Sequence, residues 1–162
     1  MNPTRPAPAR LTAGRVLFAL IALAVLAADR VTKSLVEANV PYGTEVAAIG
    51  QWVGITNVHN SGAAFGFAPA GTGLFTVASA VVAVGIVVYV ARHPGDLLTD
   101  VVLGLIMGGT VGNGYDRFMF GTVTDFVNVH FWPVFNIADS AVSIGVVALV
   151  AGYLLRKHPD AA

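Results

Sequence analysis

The chain has 162 residues, 56% of them hydrophobic and 11% charged, with a mean hydropathy of +0.74. A soluble globular domain carries roughly 25% charged residues, so an ordinary cytosolic fold is excluded, and a formal net charge of zero excludes the basic field that holds nucleic acid. The absence of Cys removes disulfides, thiolate metal sites, a thiol nucleophile and lipidation of the chain itself, which leaves a small single-domain integral membrane protein.

In chain order, residues 1–12, with Pro3, Pro6 and Pro8, read as a disordered tail. An apolar stretch over 16–28 predicts a first helix at about 14–34, short of the roughly 20 apolar residues a span requires unless Arg15 snorkels outward. Arginines, an apolar run and small residues up to Ala28 also imitate a cleavable secretory signal. The helical continuation Asp29-Arg30-Val31-Thr32-Lys33, with Asp29 and Lys33 paired at i,i+4, predicts a retained helix instead. Beyond Pro41, alternation through Trp52-Val53-Gly54-Ile55-Thr56-Asn57-Val58 predicts a strand. Helices follow at about 73–91 and about 97–113 on the apolar-run criterion, joined by the short Arg92-His93-Pro94-Gly95-Asp96 connection. Val123-Thr124-Asp125-Phe126-Val127-Asn128-Val129 alternates as a second strand. A last helix spans about 136–156, with residues 158–162 as a closing tail. The expected fold class is a mainly α membrane protein with four transmembrane helices and a small extracytoplasmic β-sheet and loop region.

Charge sets the expected orientation. With both termini cytoplasmic, Arg5, Arg10, Arg15, Arg92, Arg156 and Lys157 lie inside, against Arg30, Lys33 and Arg117 outside, as the positive-inside rule requires. Both predicted strands then lie outside, and so do the polar residues that carry chemistry.

Polar residues near a bilayer are costly and mark function by default. Asp29, Glu37, Asp116, Asp125 and Asp139 lie near segment ends or in the outer loops. Asp139 sits one turn into the fourth apolar segment and Asp125 in the second alternating run; a chain returning at Trp132-Pro133 would bring them together. Two adjacent carboxylates share a proton, so one serves as general base on water while the protonated one polarises a peptide carbonyl. That is the chemistry of aspartic proteolysis, which needs no metal, cofactor or covalent intermediate. By spacing alone, an interfacial helix cap at Asp139 and a solvated loop residue at Asp125 account for them equally well.

Five polar blocks stand at the outer helix ends: Asp29-Arg30-Val31-Thr32-Lys33; Asn60-Ser61-Gly62-Ala63-Ala64-Phe65-Gly66; Gly112-Asn113-Gly114-Tyr115-Asp116-Arg117, leaving the third helix; Val123-Thr124-Asp125-Phe126; and Phe135-Asn136-Ile137-Ala138-Asp139-Ser140. In order, helix count and topology the sequence resembles the bacterial lipoprotein signal peptidase (signal peptidase II) family over nearly the whole chain after the N-terminal tail. The resemblance implies an aspartic endopeptidase of the bacterial cytoplasmic membrane. Such an enzyme removes signal peptides from prolipoproteins carrying a diacylglyceryl group on the lipobox Cys, cuts just before that Cys, and is the target of the cyclic peptide globomycin. It also implies that Asp125 and Asp139 are the catalytic pair, that Asn60, Gly62, Asn113, Arg117 and Asn136 line the substrate site, and that Asp29, Lys33 and Asp116 support it, with no metal or cofactor. The expected partners are lipidated precursors and membrane lipids, with the chain acting as a monomer.

Other features read as structural. Gly104, Gly108 and Gly112 form a small-residue stripe for close helix approach within the chain. Asp116 is expected to pair with the neighbouring Arg117. His59 and His130 lack metal-ligand spacing, and Lys33-Ser34 are adjacent on a helix and do not face each other. Phe65, Phe67, Phe126, Phe131 and Trp132 border a lateral substrate entry or form an interfacial belt. A proton-coupled transporter is the rival reading, but it would place its polar residues near the midplane rather than at one surface.

Overall fold

The computed structural model describes residues 8–62, 71–93 and 96–156. The elements are α1 (Pro8–Asn39), β1 (Glu45–Ile49), β2 (Val53–Asn60), α2 (Gly71–Arg92), α3 (Leu97–Phe120), β3 (Val123–Asn128) and α4 (Ile137–Arg156). Among the described residues three helical segments are long and apolar enough to cross a bilayer: Gly71–Arg92, Leu97–Phe120 and Ile137–Leu155. Helix α1 is longer still, and its apolar run over 16–28 ends at Asp29, Arg30 and Lys33.

Helix α3 is the axis. Half of its span is buried, against 6% of that in α2, because its glycines let neighbours approach. A Cβ at Gly104 would stand 2.9 Å from Phe18 O, and one at Gly108 would stand 2.6 Å from Ala22 O, so the stripe is the seat of α1 within the same chain. Gly109 faces α4 in the same way, with Ala138 O 2.4 Å from its would-be Cβ. Towards the end remote from the sheet, Ile86, Val102, Leu103 and Ile106 form an apolar cluster with Phe18 and Ala148.

The sheet, in the order β1-β2-β3 and antiparallel throughout, sits on the end of α1, where Val36, Val40 and Phe126 bury one another against Ile55 and Ile137. A bulge in β2 between Ile55 and Val58 sets Val58 opposite Asp125. The free edge of β3 is closed by the returning chain: Val127 N donates to Phe135 O at 2.8 Å and Phe135 N to Val127 O at 3.2 Å. This one bridge fixes Asn136 and the first turn of α4 beside Asp125.

Three local expectations need correction. Helix α1 begins at Pro8, so residues 8–12 of the expected tail are helical. Helix α3 runs seven residues past 113 to Phe120, because Gly114 packs against Ser79 of α2 and the left-handed cap falls at Gly121 (φ 75°), whose N–H donates to Arg117 O. The Asn113–Arg117 block is therefore a helical face, not a departing loop. Strand β1 had no alternation to announce it, because all of its residues are exposed. Phe65, Phe67, residues 1–7 and residues 157–162 lie outside the described residues.

Candidate active site

Asn136 precedes α4 and is wholly buried. Its Oδ1 accepts from Asp139 N at 2.9 Å, while its own backbone N–H donates to Asp139 Oδ2 at 3.2 Å. This reciprocal pair is a capping box with Asp in the third helical position. Asp139 is thus the helix cap its spacing allowed, and its carboxylate also lines a cavity. The Asn136 amide turns the other way, its Nδ2 donating to Asp125 Oδ1 at 2.7 Å and to Asn113 Oδ1 at 3.1 Å. One residue therefore grips an oxygen of each acid.

The remaining carboxylate oxygens are also held. Asn60 Nδ2 donates to Asp125 Oδ2 at 2.9 Å, and Asn113 Nδ2 donates to Asp139 Oδ1 at 2.7 Å. Gly62, in a left-handed turn (φ 88°), supplies the N–H that occupies Asn60 Oδ1 at 2.8 Å and so points the Asn60 amide at Asp125. Asp125 is 2% exposed. Burial pushes its carboxyl up to about 6 and the nearby Asp139 charge adds to this, against hydrogen bonds from Asn60 and Asn136 that favour the ionised form.

A carboxyl raised on folding stabilises the fold most below its unfolded value of 3.8, and that contribution is lost as pH rises through about 6. Relative to wild type, Asp125→Asn is therefore expected to gain about 2–3 kcal/mol between pH 4 and pH 7.5. Parallel unfolding curves at the two pH values check it; an unchanged difference refutes it.

A cavity of about 290 Å³ opens beside Asp139, lined by Phe75, Ser79, Val82, Asn113, Arg117 and Val142 among others. Arg117 lies over the Phe75 ring, 5.3 Å from its centroid, and its buried Nε has no partner among the described residues. Asp116 does not pair with Arg117 as expected, because one helical position turns it towards α1. There it accepts from Arg30 and from Lys33 Nζ, the latter at 2.7 Å. Lys33 also bridges to Asp29 Oδ2 at 2.7 Å, and Asp29 Oδ1 caps Ala138 N at 3.0 Å. The i,i+4 pair expected on α1 is thus the hub of a buried network joining α1, α3 and α4.

Three contacts carried no usable sequence signal. Tyr115 underlies Arg30 at 5.1 Å; Thr124 donates to Glu37 at 2.5 Å; Phe75 shelves Arg117. A second, apolar cavity of about 690 Å³ lies farther along α3 between α2 and α4 and shares Val82 with the first.

The sequence profile of the signal peptidase (SPase) II family matches residues 21–155. The chain belongs to the signal peptidase II family. It is 43% identical to the lipoprotein signal peptidase of Rhodococcus jostii over 90% of this chain and 76% of that one. It is 39% identical to the enzyme of the same name from Bacillus subtilis over 86% and 94%. The fold agrees: a bacterial membrane enzyme solved by the in meso method at 2.3 Å resolution superposes with a TM-score of 0.81 at 29% identity, covering 87% of this chain and 89% of that one. The protein is accordingly a membrane protease of the lipoprotein-processing class, and its activity is removal of signal peptides from lipoproteins.

Proposed function

We propose that this signal peptidase II hydrolyses the bond just before the diacylglyceryl-modified Cys of a prolipoprotein, with water activated by Asp125 and Asp139 and no covalent intermediate. The observation that carries the reading is the grip of Asn136 on both acids beside a cavity that Asp139 lines. Asp125, buried and raised towards 6, is suited to hold the shared proton, and Asp139 to take one from water. The oxygen of that water adds to the scissile carbonyl carbon while the Asp125 O–H donates to the carbonyl oxygen. Collapse of the tetrahedral diol breaks the C–N bond as one of its hydroxyls returns a proton to Asp125, and the proton on Asp139 passes to the leaving amine of the Cys. Arg117, whose Nε has no partner among the described residues, is suited to a substrate carbonyl at the cavity wall.

In this reading α1 is the fourth span, both termini are cytoplasmic, and the sheet and acids stand at the outer face of the bacterial cytoplasmic membrane. The two cavities share Val82 in their linings and follow one another along α3 between α2 and α4. An apolar signal helix entering sideways from the bilayer would fill them, with its cleavage point at the acids. Globomycin would compete at the same place.

The test is cleavage by purified protein in lipid. The diacylglyceryl-modified precursor is expected to be cut, its unlipidated form to resist, and globomycin to block the reaction. Equal cutting of both forms, or none of the lipidated one by folded protein, overturns the proposal.

A further inference from the structure

Lys33 has no exposed surface and three hydrogen-bond acceptors: Asp29 Oδ2 at 2.7 Å, Asp116 Oδ2 at 2.7 Å and Asn113 Oδ1 at 2.8 Å. Two carboxylates are enough to neutralise and solvate a buried ammonium that ties α1 to α3. The third bond leads elsewhere. An amide has one accepting end and one donating end. Asn113 Oδ1 receives both Lys33 Nζ and, at 3.1 Å, Asn136 Nδ2. Turning that amide over would set its N–H₂ against two donors. The orientation that remains aims Asn113 Nδ2 at Asp139 Oδ1, 2.7 Å away.

We infer that Lys33 is a positioning residue of the hydrolytic step: through the Asn113 amide it holds Asp139 as the hydrogen-bond-accepting, ionised member of the acid pair. This inference rests on the dyad reading above.

The charges around Lys33 support it. Lys33 pairs with Asp29 on α1 and Asp116 on α3, and its charge acts on Asp125 of β3 and Asp139 of α4; Arg30 of α1 shares Asp116 with it, and Arg117 of α3 acts on the same two acids from its own side. Lys33 and Arg30 balance Asp29 and Asp116, so the cluster presents no net charge to the pair. Removing Lys33 leaves an uncompensated carboxylate behind Asn113 and only the longer Asn136 bond to keep its amide from turning. Both changes disfavour ionisation of the pair, and the acid limb of the rate profile must move to higher pH.

The experiment measures kcat and KM against pH for Lys33→Met on the lipidated precursor, with wild type and Asp139→Asn alongside. Lys33→Met is expected to lower kcat about 100-fold with KM within about twofold, and to shift the acid limb of kcat/KM up by about one pH unit. If Lys33→Met does not fold, the charge-balanced pair Lys33→Met with Asp116→Asn is measured; it is expected to keep the kcat loss with a smaller pH shift. A folded variant with lowered melting temperature but unchanged kcat and unchanged acid limb would reduce Lys33 to a structural ion and overturn the inference. Failure of wild type to cleave, or normal cleavage by Asp139→Asn, removes the dyad reading itself. A silent Lys33 beside an inactive Asp139→Asn removes this inference alone.

Discussion

Asp139→Asn is expected to slow cleavage of the lipidated precursor roughly 10⁴-fold while leaving a folded protein. Asp139 has two tasks, and the substitution separates them. Its Oδ2 closes the capping box at the start of α4 and its Oδ1 accepts from Asn113. Asn keeps one acceptor, so the cap survives, but its amide nitrogen meets a donor that Lys33 prevents from turning away. The cost in stability is about 1 kcal/mol, and Asp139→Ala, which also loses the cap, should cost about 1 kcal/mol more. The rate, by contrast, should fall equally in both, because neither side chain can take a proton from water. Single-turnover cleavage and thermal unfolding of the same preparations separate the two effects. Near-normal turnover by folded Asp139→Asn would dismiss the acid pair.

The division between chemistry and scaffold explains what could be read from the sequence and what could not. Asp125 and Asp139 stood out because polar residues bounding apolar runs are expensive, and Asn60, Asn113, Arg117 and Asn136 through the family resemblance of their blocks; all six fall at the sheet-bearing end of the fold. Their wiring was not legible. Whether Asp116 turns to Arg117 or to Arg30 and Lys33 depends on α3 continuing to Phe120, and that depends on Gly114 meeting Ser79 and on Gly121 accepting a left-handed cap. A glycine inside an apolar run looks the same in sequence whether it ends a helix or seats another one. Strand β1 was silent for a related reason: an edge strand exposed on both faces has no burial to enforce alternation. The glycine stripe was legible because its period matches the helix, and its partner proved to be α1. The return of the chain at Trp132-Pro133 was legible, but the single bridge of Phe135 to Val127 that carries Asn136 to Asp125 has no periodicity, so its register was not.

That dependence of the site on close backbone packing can be tested at Gly109. A Cβ there would lie 2.4 Å from Ala138 O and 2.8 Å from Val142 Cγ2, contacts that real side chains do not make. Ala138 is wholly buried and its N–H is held by Asp29, so α4 cannot yield at that point without leaving its cap network. Gly109→Ala must therefore push the first turn of α4 off α3. Asp139 is the next residue, and its bond to Asn113 spans the same interface. We expect about 1–3 kcal/mol of destabilisation from overpacking. We also expect about a 100-fold loss of cleavage, because a displacement on the order of 1 Å at a reacting group costs that much. Gly73→Ala on α2, where no atom lies within 4 Å of the added carbon, is the matched control and should keep both stability and rate. If Gly109→Ala cleaves at the wild-type rate, the α3–α4 contact does not set the position of Asp139, and the acid must be held by the loop side of its network alone.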